Sequence, residues 1–173
     1  MIFQRLGLVN KKQQGFTLIE LMLAIALSGI ITGAITATIF QLVDGSARTN
    51  NHMIAVREAQ NAGYWVSHDT VMAQVVEPTP APDPDGFPLV LTWAEWGSTD
   101  VHEVTYTLDG TELWRDYDGQ QSPIAKFVES VEVSPRPYTG GKLTFEVTTT
   151  VGASSREQSE TRIYEIVPRP GSQ

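Results

Sequence analysis

The sequence predicts an α+β protein: one long N-terminal α-helix, transmembrane in its first part and amphipathic in its second, packed on a small antiparallel β-sheet domain. Three observations predict it. An apolar segment near the N-terminus is long enough to cross a bilayer, and a helical pattern of apolar residues resumes after it. Beyond a proline-rich stretch, short runs of β-branched and aromatic residues alternate with a period of two between Gly-, Pro- and Asp-containing turns.

The apolar segment opens at Gly15-Phe16-Thr17-Leu18-Ile19-Glu20 and runs to Val43. Basic Lys11-Lys12 stand just before it, and Glu20 is the one charged residue between Phe16 and Val43. A helix over those 28 residues measures roughly 40 Å, enough for a hydrocarbon core of about 30 Å. A carboxylate inside such a span costs about 2.5 kcal/mol or more unless it is paired, which makes Glu20 a candidate functional residue. The run is too long for the apolar region of a secretory signal peptide and lacks a clear A-x-A exit. Gly29 and Gly33 form a G-x-x-x-G pair, a candidate for close helix–helix packing in lipid; the alternative is that membrane helices are simply rich in small residues.

G-F-T-L-I-E with its basic leader and apolar continuation resembles the class III signal of type IV pilins and type II secretion pseudopilins. The resemblance implies a leader at 1–15, a prepilin peptidase that cuts after Gly15 and N-methylates Phe16, and an assembly role for Glu20. It also implies an inner-membrane, single-pass protein whose helix is retained, with other pilin-like subunits, an inner-membrane assembly platform and membrane lipid as partners. Where family members often carry proline at the twenty-second mature position this chain has Ala37, so the resemblance carries no helix break to that point.

Composition sets the orientation. The 173-residue chain carries a net charge of −8, but from Asp44 onward nine basic residues face nineteen acidic ones, a net of −10. The positive-inside rule then leaves the N-terminus in the cytoplasm and the acidic remainder across the membrane. Direct nucleic-acid binding is not expected, since it needs clustered Lys and Arg. With no cysteine, disulfides and thiolate metal sites are excluded. About 130 residues after Val43 suffice for one small domain.

Residues 44–77 read as the amphipathic continuation of the helix. Asp44-Gly45-Ser46 marks the exit from the apolar stretch; Gly45 either kinks the helix or costs it about 1 kcal/mol. Ala55, Ala59, Ala62, Val66 and Ala73 then recur at three- and four-residue steps, with Trp65, Met72 and Val76 beside them. Asp69 lies on the same face. It is either a buried structural carboxylate that ties sheet to helix, through backbone N–H groups or an arginine, or an edge residue reaching solvent. Residues 78–87 form a proline-rich, extended linker whose acids match no EF-hand spacing.

The β-domain spans 88–173, with five or six strands expected. Pro88 to Trp93 is the first, followed by a turn at Trp96 to Asp100 in which Trp96 is a candidate for exposure. Val101 to Leu108 presents Val104, Tyr106 and Leu108 on one side and turns at Asp109-Gly110 into Glu112 to Arg115. Ile124 to Val133 is read as another strand, Leu143 to Thr148 alternates cleanly, and Thr161 to Val167 closes the domain with Ile163 and Tyr164 facing inward. The Asp69-bearing helix segment with Val104-x-Tyr106-x-Leu108 and Leu113-x-Arg115 is similar to J-class minor pseudopilins and PilW-like minor pilins.

No catalytic pattern stands out. His52, His68 and His102 lack metal-ligand spacing, there is no G-x-S-x-G elbow, and no glycine loop to cradle phosphate. No enzymatic activity and no cofactor are expected. The function read from the sequence is a structural minor pilin or pseudopilin of a type IV pilus-like or type II secretion filament, its tip included. The alternative is a signal-anchored periplasmic ligand-binding module.

Overall fold

A computed structural model describes residues 15–79, 85–95, 97 and 100–169. The leader other than Gly15, the middle of the linker at 80–84 and Trp96 lie outside them. The described residues fall into two compact units divided between Val43 and Asp44. One α-helix, α1 (Leu18–Met72), supplies the first unit and the start of the second. It passes Ala37 and Gly45 without interruption.

In the first unit every described side chain is exposed, Leu21, Ile25, Ile31 and Phe40 among them. Its part of α1 holds an 18-residue window of mean hydropathy 2.2, long and apolar enough to cross a membrane. Thr36 and Thr38 donate their hydroxyls to the carbonyls of Thr32 and Ala34, which hides polar groups that lipid would not solvate.

The second unit is built on antiparallel β-strands. A five-stranded sheet runs in order β1 (Val75–Pro78), β2 (Leu89–Ala94), β3 (Val101–Asp109), β4 (Glu112–Tyr117), β5 (Gln120–Ala125). A three-stranded sheet holds β6 (Val128–Ser134), β7 (Leu143–Val151) and β8 (Gln158–Ile166). Ala55, Ala59, Ala62 and Val66 of α1 are fully buried, and the alanines leave room for the strands' larger side chains. Leu89, Leu91, Val104, Tyr106 and Leu113 come from the larger sheet; Val133, Leu143, Phe145 and Val147 come from the smaller one. These residues form one core, in which Phe87 makes a tilted contact with Phe145 at 6.3 Å. At Gly63 the helix meets Tyr164 so closely that a Cβ would sit 2.0 Å from the ring. Only glycine fits there.

The structure differs from expectation in four places. The helix stops at Met72, short of residue 77, because Val75-Val76 gain more by pairing with β2, where Val76 is buried opposite Leu91. Pro78 is tolerated because β1 is an edge strand. The run read as one strand from Ile124 to Val133 is two, broken at Phe127, whose φ of 58° puts it in the left-handed region. In β8 it is Tyr164 that faces inward, whereas Ile163 is 60% exposed. With β1 and β5, the described strands number eight, not five or six.

Candidate functional site

Gly15, Phe16 and Thr17 precede the first helical residue, so the Gly15–Phe16 bond lies in non-helical backbone, and Phe16 is 89% exposed. Thr17 is the N-cap. Its hydroxyl accepts from the Glu20 N–H at 3.3 Å and donates to Glu20 Oε2 at 2.8 Å, while its own N–H donates to the same oxygen at 2.9 Å. This is a reciprocal capping box, satisfying N–H groups that a helix start leaves open. Among the described residues nothing else bonds to the Glu20 carboxylate. The pattern T-x-x-E was readable in Thr17-Leu18-Ile19-Glu20, and the sequence reading passed over it. Gly29 and Gly33 lie on open helix surface, where an added Cβ meets nothing within 4 Å.

In the second unit Asp69 is 1% exposed, and both of its oxygens are taken. The Tyr106 hydroxyl donates to Oδ2 at 2.5 Å, and Arg115 Nε donates to the same oxygen at 2.6 Å. Arg115 Nη2 reaches Oδ1 at 3.2 Å, and His68 Nδ1 lies 3.1 Å from Oδ1. Tyr106 and Arg115 are direct cross-strand partners on the β3–β4 hairpin, so the hairpin delivers both donors together. The guanidinium also sits 4.9 Å from the ring centres of Trp65 and Tyr117, a cation held between two aromatic faces. Burial, with the Asp69 charge beside it, pushes the Tyr106 hydroxyl far above its ordinary range. Desolvation pulls Arg115 down, yet its hydrogen bond and charge pairing with Asp69 leave it raised on balance. One hydrogen bond from Tyr106 and two from Arg115 make the centre a tie between helix and sheet.

Sequence reading missed a third cluster. His102 Nδ1 lies 2.7 Å from Asp118 Oδ2 and 3.0 Å from the Tyr117 hydroxyl, with its ring stacked on Tyr117. Asp118 Oδ1 accepts the Glu103 N–H at 2.9 Å. The hydrogen bond that His102 donates to Asp118 raises the His102 pKa; the Glu103 N–H, then His102, lower that of Asp118. No short-range sequence signal marks the pair, because the β3–β4 hairpin brings it together from 16 residues apart. Among the described residues no group of three His, Cys, Asp or Glu is placed to hold a metal ion.

Residues 10–36 match the prokaryotic N-terminal methylation motif. No curated protein and no solved structure matches the chain. The motif covers Gly15, Phe16, Glu20, Gly29 and Gly33 and stops short of the β-domain. Its presence on a membrane-capable helix supports the type IV pilin and pseudopilin class, with processing by prepilin peptidase and assembly with other pilin subunits.

Proposed function

We propose that this chain is a minor pilin or pseudopilin, anchored in the inner membrane by the first part of α1 and then incorporated into a filament, with its β-domain on the extracytoplasmic side. The observation that carries this reading is the methylation motif, which includes an exposed, non-helical Gly15–Phe16 bond at the mouth of a capped apolar helix. A peptidase requires its scissile bond outside a helix, and the backbone meets that condition here. Cleavage leaves a cationic amine on Phe16, beside the N-cap residue Thr17. Glu20, held over the helix N-terminus by Thr17, offers that amine, its own or a neighbouring subunit's, an opposite charge in a medium of low dielectric. A subunit seated one helical turn away leaves both charges unpaired, so the pair selects register.

The J-class likeness is part of this proposal. In its support, Tyr106 and Arg115, the two polar residues of the V-x-Y-x-L and L-x-R motifs, converge on Asp69. Mass spectrometry of the protein from its native membrane tests the reading. The expected N-terminus is N-methylated Phe16; an intact Met1 overturns it. The Glu20→Gln variant is expected to be cleaved normally and to fail to enter filaments. Undiminished incorporation would remove the charge-pair mechanism.

A further inference from the structure

A groove of about 710 Å³ runs between one side of α1 and β8, apart from Asp69 itself and the N-terminal cap. Tyr64, Ser67, His68 and Val71 line it from the helix, Arg162 and Tyr164 from the strand. Three features of this groove converge. First, β8 is the outer strand of its sheet: nine residues pair with β7, and among the described residues no strand pairs with its other edge. An open edge of that length is a template for another extended chain. Second, the groove lies where such a chain would put its side chains. Arg162 and Tyr164 share the side of β8 that buries Ile166, so a strand added about 4.8 Å further out extends that row over Tyr64, Ser67 and Val71. Tyr64 is 61% exposed and Val71 51%, apolar surface that the chain's own sheet leaves uncovered. Third, the lining holds one arginine and no carboxylate on an otherwise acidic domain. Arg162 lies 3.1 Å from Glu160, outside the lining, and its guanidinium is the fixed positive charge of the groove.

We infer that the β8 edge and this groove form a docking site for an extended segment of another polypeptide, which adds a strand to the sheet and turns apolar side chains and a carboxylate toward α1. The backbone of β8 supplies affinity through ladder hydrogen bonds; Tyr64, Val71 and Arg162 select the inward side chains. The inference is independent of filament entry, since it concerns a surface of the folded domain that is present in an anchored monomer as well.

The test uses the full-length chain in lipid nanodiscs and an acetylated, amidated heptapeptide. The peptide begins and ends on threonine, alternates with valine, and carries aspartate in place of the central valine. Amide NMR shifts are expected at Thr161–Ile166 and Tyr64–Val71, with slower hydrogen exchange along β8. Lysine in place of the aspartate should weaken binding about tenfold, and Arg162→Glu should reverse that preference. Ser67→Trp, which fills the groove from a half-buried helix position, should abolish binding while far-ultraviolet circular dichroism and the thermal midpoint stay unchanged. An absence of shifts, shifts confined to β6, or equal affinity for the two peptides overturns the inference. Concentration-dependent shifts of the same amides without peptide assign the groove to a second copy of this chain, and shifts on varying the lipid assign it to the bilayer; either outcome overturns the peptide reading.

Discussion

One helix carries two carboxylates that find their hydrogen-bond partners in different ways. Glu20 sits at the start of a stretch whose side chains are all exposed, and it is satisfied by a residue three positions away. Asp69 sits near the other end, fully buried, and is satisfied by residues 37 and 46 positions away. The first arrangement is a property of one helical turn and survives with no tertiary fold. The second exists only once the β3–β4 hairpin has docked. A locally satisfied carboxylate keeps an oxygen free for a partner from outside the chain, as the assembly role proposed for Glu20 requires. One with both oxygens engaged has no capacity left for a ligand, so Asp69 reads as architecture.

Substitutions should separate the two. Asp69→Ala leaves the Arg115 guanidinium half-sandwiched and unpaired, and should cost about 3–5 kcal/mol, read by denaturant unfolding in detergent micelles through tryptophan fluorescence. Tyr106→Phe keeps the ion pair and deletes one donor, for about 1–3 kcal/mol in the same assay. If the two variants lose equal amounts, the arginine contributes little and the centre is a hydrogen bond rather than an ion pair.

Gly63→Ala places a methyl group inside the Tyr164 ring. Although alanine is the better helix former, the overlap should leave a net loss of about 1–3 kcal/mol. Adding Tyr164→Ala to Gly63→Ala should recover that part of the loss, which a thermal-melt double-mutant cycle reads. At the N-terminal cap, Thr17→Val should cost roughly 1 kcal/mol of local helix stability, seen as faster amide exchange at residues 18–21 with no change in the unfolding midpoint of the β-domain.

The smallest effect is the pH dependence of the His102–Asp118 pair. The folded-state pKa of His102 is raised above 6.5, so its stabilisation is whole below that value and fades as pH rises through the folded pKa. Asp118 is lowered below 3.8, so its share is whole above that value and fades as pH falls through the depressed pKa. The pair should therefore stabilise most between about 4 and 6.5, and His102→Gln should flatten the neutral-to-alkaline limb of the stability curve. A His102 titration by NMR with its midpoint at or below 6.5 would contradict this.

The parts of this architecture that rest on periodicity were open to reading. The alanine face from Ala55 to Ala73 and the alternation of Leu143, Phe145 and Val147 describe what those residues bury, and the structure buries them. The helix end was not open to reading. Ala73 and Val76 fit a helical face as well as a strand, and the choice was made by β2, whose Leu91 and Thr92 pair with Val76 and Val75. Likewise Ile163 and Tyr164 are neighbours in β8, and the tyrosine turns inward where the notch at Gly63 and the ring of Phe145 receive it.

Composition and spacing along the chain determined the membrane-grade helix, the Gly15–Phe16–Glu20 signal and its cap, the acidic β-domain and its α+β class. These depend on residues within a few turns of one another, where the physics is local. The tertiary structure decided which donors Asp69 receives, where α1 ends, and which edge and groove the β-domain leaves open. Each of those depends on contacts between residues far apart in sequence, whose energy exists only after the chain has closed on itself.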